Sequence, residues 1–201
     1  LVVRNAFHKE RLDAWWRIAS AGIEWLEVDL RKAAWYTTQE FVDCPYEYSG
    51  LKFDAKVMPE WLVEIRDEVC KVVGWPADKE KPNSVNINQY DDEKFDVGWH
   101  TDGEPFFQGY NKDIAILSFS LGASREFAWR LQGQNQKVGS AMLGHGDIMT
   151  MEGKFQRHYK HSILKSSVPT GPRINFTFRS IVCKARPQDA DIKSQRPATG
   201  S

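Results

Sequence analysis

Two histidines and an aspartate are the first residues that suggest chemistry. In Trp99-His100-Thr101-Asp102 an imidazole and a carboxylate stand two residues apart. In a strand or extended loop such residues project to the same side, so both can grip one ion. A further histidine at 161, in Tyr159-Lys160-His161-Ser162, completes two imidazoles and one carboxylate. That donor set leaves several coordination positions open and fits non-haem iron(II) oxygen chemistry rather than structural zinc. Alone, a His-x-Asp pair is a weak motif, because a single histidine is more often a hydrogen-bonded surface or core residue.

A second constellation strengthens the first. Residues 173–180 read Arg-Ile-Asn-Phe-Thr-Phe-Arg-Ser. Strict alternation puts Arg173, Asn175, Thr177 and Arg179 on one face and Ile174, Phe176 and Phe178 on the other. An amphipathic strand wetted on its polar side has the same pattern. Two arginines on one face can also line a polar cavity and hold a dicarboxylate such as 2-oxoglutarate, since guanidinium forks match carboxylates bidentately. Residues 84–90 repeat the design, with Asn86, Asn88 and Tyr90 on one side and Val85 and Ile87 on the other. Two polar-faced strands bracketing the His-x-Asp and the later His favour a ligand-filled interior over two wet edges.

The elements that must position these residues follow from periodicity. Residues 6–26 read as an amphipathic helix, and a second helix is expected from Pro59 to Val73 with Gly74 as its stop. Residues 35–53 are aromatic and irregular, broken by Pro45 and Gly50. Period-two runs then follow at 84–90, 114–121, 125–131, 138–143, 147–151 and 173–182. Helices followed by many short strands predict an α+β fold, with helices packed outside a mostly antiparallel sandwich or barrel. The 201 residues suit one domain, expected over residues 1–185, and the polar stretch 186–201 reads as a flexible tail.

Composition excludes little else. Basic and acidic residues balance at 27 each, so net charge argues for neither nucleic acid nor membrane as partner. No run approaches the length of a membrane span, and no initiator methionine stands at the start, so a targeting segment there would be invisible. Three cysteines make a poor disulfide framework, which points to reduced thiols and an intracellular setting, nucleus or cytoplasm in a eukaryote and cytoplasm in a bacterium. Cys44 and Cys183 are expected as small buried apolar residues. His145, between two glycines, is expected in a hairpin turn, and His158 packed or solvated.

In order along the chain, Asn88-Gln89-Tyr90, His100-Thr101-Asp102, Gly146-Asp147 with Gly153, His161, and Arg173-Ile174-Asn175-Phe176-Thr177-Phe178-Arg179 resemble the AlkB family of iron(II)- and 2-oxoglutarate-dependent nucleic-acid dealkylases. The final string is the most specific part. Ala34-Trp35-Tyr36-Thr37-Thr38 and Tyr46-Glu47-Tyr48-Ser49-Gly50 look like the family's substrate-recognition lid, and 117–125 like a core strand and the turn beyond it. The resemblance spans roughly residues 30–182, with lid and supporting helix within 30–75, and it implies a double-stranded β-helix (jelly-roll) core.

Carried over residue by residue, it implies that His100, Asp102 and His161 bind Fe(II). Arg173 pairs with the distal carboxylate of 2-oxoglutarate, helped by the Tyr90 hydroxyl. Asn88, Asn175 and Arg179 lie towards the end at the metal, and Ser118 lines the same pocket. Tyr36 is the aromatic that stacks on the damaged base opposite His100, with Trp35 joining the stack or packing beside it. Tyr46 and Tyr48 flank the substrate backbone or the pocket mouth, and Glu104 matches an acidic position near the base edge. The chain departs from the family at Gly103, where several members carry a carboxylate, which leaves Glu104 as the acidic reader.

The implied reaction uses O2 to demethylate an N-alkylated base such as N1-methyladenine or N3-methylcytosine in DNA or RNA, releasing formaldehyde, succinate and CO2. A flipped base or a single strand would present the target to a monomeric enzyme. Basic residues Arg31, Lys32, Lys52 and Lys56 border the lid, and Lys154, Arg157, Lys160 and Lys165 border His161. Two other readings compete: an oxygenase of the same fold acting on a protein or small molecule, and a catalytically silent nucleic-acid-binding module. The complete metal and cosubstrate set argues against the silent module, and the aromatic lid favours nucleic acid over the remaining alternative.

Overall fold

The computed structural model describes residues 1–28, 31–48, 51–109 and 111–183, and the side chains of these except Glu47, Tyr48 and Leu51. The expected tail, 186–201, lies outside the described residues. In chain order the elements are β1 (Val2–Val3), α1 (Lys9–Gly22), β2 (Leu26–Val28), β3 (Arg31–Thr37), β4 (Tyr46–Tyr48), β5 (Leu51–Phe53), β6 (Lys56–Val57), α2 (Glu60–Val72) and β7 (Ser84–Tyr90). There follow β8 (Val97–His100), β9 (Ile116–Gly122), β10 (Arg125–Leu131), β11 (Gly139–Leu143), β12 (Ile148–Met151), α3 (Phe155–His158), β13 (Tyr159–Ile163) and β14 (Arg173–Arg179).

The major sheet runs β1-β12-β9-β14-β7-β3-β2, with β6 alongside β3, and the minor sheet runs β11-β10-β13-β8. All pairings are antiparallel except β3 with β6. The two sheets form the jelly roll, and β4–β5 is a separate hairpin at its mouth.

The period of two explains why the fold forms and where its cavity lies. One face of the major sheet carries Val85, Ile87, Leu117, Phe119, Leu121, Ile174, Phe176 and Phe178, all buried. Against it lie Leu12, Trp15 and Ala19 of α1 and Leu62, Ile65 and Val69 of α2, spaced three or four apart on one helical stripe. Each large side chain buried in this layer contributes on the order of 2 kcal/mol. The other face of the same strands turns its polar side chains towards the minor sheet. Register fixes the arrangement, because slipping β14 by one residue against β7 would bring Phe176 and Phe178 into the cavity and Asn175 and Thr177 into the core.

The turn from β9 to β10 requires glycine. Gly122 sits at φ +87°, and a Cβ there would stand 2.3 Å from the Pro172 carbonyl oxygen. The Pro172 carbonyl accepts from the Ala123 N–H and so closes the end of β14 over β9. His145 lies in the expected turn, and its Nδ1 accepts from the Gly122 N–H at 2.9 Å. His158 is exposed.

Three expectations change. The stretch 35–53 is only partly irregular: it opens on the end of β3, a fully paired strand, passes through a 3-10 turn at Gln39–Phe41 and a loop, and closes in the β4–β5 hairpin. Strands β8 and β13, which carry two of the three candidate metal residues, have no clean alternation and escape sequence reading; the β8–β13 register shifts between His161 and Ile163. The cysteines are not all reduced. Cys44 and Cys183 form a disulfide with Cα atoms 6.2 Å apart, Cys183 is exposed, and Cys70 alone is free and buried. With the two cysteines 139 positions apart, nothing local announces the pair. It also removes cysteine usage as an argument for a reducing compartment. Among the described residues no helix is long and apolar enough to cross a membrane.

Candidate metal centre and cosubstrate pocket

His100 ends β8 and His161 stands in β13 directly opposite it, so sheet register brings the two imidazoles together, centroids 4.2 Å apart. Asp102, two residues on, turns into the same space. Its Oδ2 lies 3.7 Å from His161 Nε2 and its Oδ1 3.9 Å from His100 Nε2. Two donors each about 2.1 Å from one ion are at most about 4.2 Å apart, so both pairs fit a shared metal. All three ligand atoms lie within 4.8 Å of one another. Asp102 Oδ2 is buried without a hydrogen-bond partner, as a carboxylate oxygen reserved for a cation would be.

The surroundings fix both charge and orientation. The Asp102 N–H donates to Gln156 Oε1 at 2.8 Å, and His100 Nδ1 lies 2.8 Å from the Gly98 carbonyl. Phe127 stacks on His161 at 5.3 Å. Burial opposes ionisation of Asp102, but Arg179, donating from Nη2 to Oδ1 at 2.6 Å, and then the two histidines hold its carboxyl below the usual range. Burial and the neighbouring His100 push His161 down to about 3, and burial also lowers His100. The triad is therefore ionised at the carboxylate and neutral at both rings, the state that binds a metal.

Beside the triad lies a cavity, open on one side, with a volume of about 50 Å³. The major sheet lines it with Asn86, Asn88, Tyr90, Ser118, Asn175, Thr177 and Arg179, and the minor sheet with Val97, His100, Phe127, His161 and Ile163. Arg173 is fully buried behind Tyr90, whose ring centre lies 5.3 Å from the guanidinium carbon. Its Nη2 donates to Asn175 Oδ1 at 2.7 Å and to Ser120 Oγ at 2.9 Å, while Ser118 Oγ donates to the same Asn175 oxygen at 2.9 Å. Nε and Nη1 of Arg173, and Nε and Nη1 of Arg179, have no partner. Unpaired buried guanidinium donors at two ends of one polar strand suit a ligand with two carboxylates.

The structure thus brings together all nine candidate metal and cosubstrate residues. Its treatment of the lid is different. Tyr36 is buried on the helix side of β3, in the core with Leu62 and Val85, and its hydroxyl faces the Glu24 N–H. It does not reach the cavity, because residues 33 and 35, not 34 and 36, face that side. Trp35 is on the cavity side but buried, donating from Nε1 to the Cys44 carbonyl and stacking at 5.0 Å behind Tyr46. Tyr46 lines the cavity, and its hydroxyl donates to Glu104 Oε1 at 3.1 Å. Burial raises the Glu104 carboxyl. Of Tyr48 only the backbone in β4 is described.

Sequence reasoning missed several contributors. Ser120 shares the parity of Ser118 and was open to discovery on that ground. Gln156, in the single-turn α3, had no signal. Arg31 lines the cavity and donates from Nε to Asn88 Oδ1 at 2.8 Å. Its companions in the basic lid cluster are engaged elsewhere, Lys32 with Asp91 and Lys56 with Glu24.

A jelly roll with a His-x-Asp…His centre beside a buried arginine defines an oxygenase of the iron and 2-oxo-acid type, and residues 21–179 match the model of the 2OG-Fe(II) oxygenase superfamily, to which the chain belongs. That family uses Fe(II), 2-oxoglutarate and O2. More particularly, the chain is 30% identical over 162 residues to human alpha-ketoglutarate-dependent dioxygenase alkB homolog 3, covering 75% of this chain and 51% of that protein. It is 32% identical over 148 residues to the human DNA oxidative demethylase ALKBH2, covering 68% and 52%. The chain spans about half the length of the curated relatives it matches. The solved structure of OsALKBH1 superposes with a TM-score of 0.62 at 17% identity, over 90% of this chain and 97% of that one, which supports the fold.

Proposed function

We propose that this chain, acting through residues 1–185 as one catalytic domain, oxidatively demethylates N-alkylated bases such as N1-methyladenine and N3-methylcytosine in DNA or RNA. The observation that carries the reading is the convergence, on one cavity, of the His100-Asp102-His161 cluster with Arg179 and Tyr90, behind whose ring the unpaired donors of Arg173 lie buried. A silent binding module has no use for that arrangement. Homology to AlkB-type dioxygenases supports nucleic acid over other substrates.

In this reading His100, Asp102 and His161 hold Fe(II), which with 2-oxoglutarate and O2 supplies the oxidation of the methyl carbon, yielding succinate, CO2 and, from the substrate, formaldehyde. The chain's own contribution is position and polarity. Arg173, with Tyr90, binds the distal carboxylate. Arg179, Asn175 and Asn88 orient the end near the metal, and Ser118 and Ser120 set the Asn175 amide. Arg179 also keeps Asp102 ionised, and Gln156 fixes its backbone. Phe127, Val97 and Ile163 exclude water from the far wall.

A base enters past Tyr46. A cationic N-methylated base gains from that ring and from the Glu104 carboxylate joined to it. Without a side chain at Gly103, Glu104 is the acidic group at the mouth. Single-stranded substrate presents such a base without the cost of extrusion, and the enzyme acts as a monomer. The test is release of formaldehyde and succinate from single-stranded oligonucleotides bearing N1-methyladenine or N3-methylcytosine. Stoichiometric release from either supports the reading; tight iron binding with no formaldehyde from any methylated DNA or RNA refutes it.

A further inference from the structure

The outer face of the minor sheet carries charge that the pocket does not use. Along β10 and β13 side chains alternate, so Phe127 and His161 turn inward while Arg130 and Lys160, paired in register, turn outward. The Arg130 guanidinium lies over the ring of Trp99, 4.5 Å from its centre, which puts Trp99 on this outer face one residue from His100 at the pocket mouth. Arg130 Nη1 donates to Asn135 Oδ1 at 3.3 Å, and its Nε has no partner. Arg157, exposed on α3, leads into the same strand. Among the described residues Arg130, Lys160 and Arg157 form no ion pair.

At the other end of these strands the charges are matched. Beyond Val97 and Ile163 lies the loop 91–96, where Asp91, Asp92, Glu93 and Asp96 meet Lys94 of the same loop, Lys32 on Asp91, Lys165 on Asp96 and the buried Arg125, which donates to the Asp92 and Phe95 carbonyls; Lys137 is engaged with Glu126. Uncompensated cations and an aromatic ring thus gather only at the end of the face next to His100. A phosphodiester chain leaving the pocket is attracted to that end.

We infer that Trp99, Arg130, Lys160 and Arg157 form a docking track for single-stranded nucleic acid, taking the nucleotides that flank the target base. Trp99 and Arg130 form a planar platform for an unstacked base, and the cations neutralise neighbouring phosphates. This rests on the nucleic-acid reading above and adds the direction in which the strand leaves the pocket.

The test is fluorescence anisotropy with an unmodified labelled strand of about twelve nucleotides, within the range such tracks cover. Wild-type protein is compared with Arg130→Gln, Lys160→Gln and the double variant across a salt series, with circular dichroism to verify folding. Each lost phosphate contact lowers the salt slope by about 0.7, so the double variant loses about 1.4 and binds about tenfold more weakly. With methylated substrates, KM rises for the long strand while kcat, and turnover of a methylated trinucleotide, stay unchanged. An unchanged slope in the double variant overturns the inference, as does absence of wild-type binding, or displacement of the strand by poly-glutamate as readily as by unlabelled oligonucleotide. Salt-sensitive wild-type binding that weakens in the variants, without formaldehyde from any methylated strand, keeps the track and refutes the demethylase; demethylation with unchanged slopes does the reverse.

Discussion

Replacing Arg173 with glutamine separates the cost of the buried guanidinium from its use. The side chain is fully buried, and burial pushes it from 12.5 down to about 10. Keeping it charged at neutral pH therefore costs on the order of 3 kcal/mol when no anion is present. Two effects of opposite direction follow. In protein free of 2-oxoglutarate, Arg173→Gln should leave the melting temperature unchanged or raise it, because a poorly compensated charge has gone. Towards 2-oxoglutarate the same change strands a carboxylate in the pocket, at a cost of about 3–5 kcal/mol, or roughly a 150- to 5,000-fold loss of affinity. The assay is a thermal-shift titration with 2-oxoglutarate, alongside the KM for succinate formation. A control uses 2-oxobutyrate, which lacks the distal carboxylate; wild type should strongly prefer 2-oxoglutarate, and the variant should not. A variant whose 2-oxoglutarate affinity stays within about threefold of wild type, or which loses 2-oxobutyrate binding equally, would refute the assignment of Arg173 to the distal end.

Other perturbations are as direct. Gln156→Ala removes the acceptor for the Asp102 N–H and should weaken iron binding about tenfold or more, read by metal titration, with little change in fold. His161 titrates near 3 in the folded chain against 6.5 when unfolded, so its stabilising contribution is complete above pH 6.5 and is lost as the pH falls towards 3. For the metal-free protein this amounts to roughly 1.4 kcal/mol lost by pH 5.5, measurable as a urea midpoint that falls in wild type and much less in His161→Gln. Reduction of Cys44–Cys183 frees a loop of 139 residues and should lower unfolding stability by up to about 5 kcal/mol on the loop-entropy account, seen as a lower denaturant midpoint in reductant that Cys183→Ser reproduces. Gly122→Ala forces a Cβ against the Pro172 carbonyl and should cost more than about 2 kcal/mol in the same assay.

What the sequence made legible was whatever repeats with period two. The strand 173–179 and its partner 84–90 announced both the helix-packed face and the polar face, and with them the candidate cosubstrate residues. The His-x-Asp spacing announced two of the candidate metal ligands. The lid and the β8 and β13 strands of the minor sheet were less legible for a physical reason: these strands are short, bulged or buried on both faces, so hydrophobicity carries no alternation. In β3, residues 33 to 37 are all buried, and nothing local tells which of Trp35 and Tyr36 faces the cavity. Parity set from the partner strand β7 decides it, and that pairing is a long-range fact. The disulfide and the Gln156 contact are long-range in the same way.

The bond from Arg179 to Asp102 bears on how the protein acquires and exchanges its metal. The guanidinium offsets the charge of Asp102 and fixes its Oδ1, so removal of a bound ion should leave the carboxylate compensated and oriented. Chelation should then be reversible without refolding, and reloading limited by ligand exchange alone. Cobalt(II) and nickel(II), which bind such donors more tightly than iron(II), should then compete for the site and inhibit turnover.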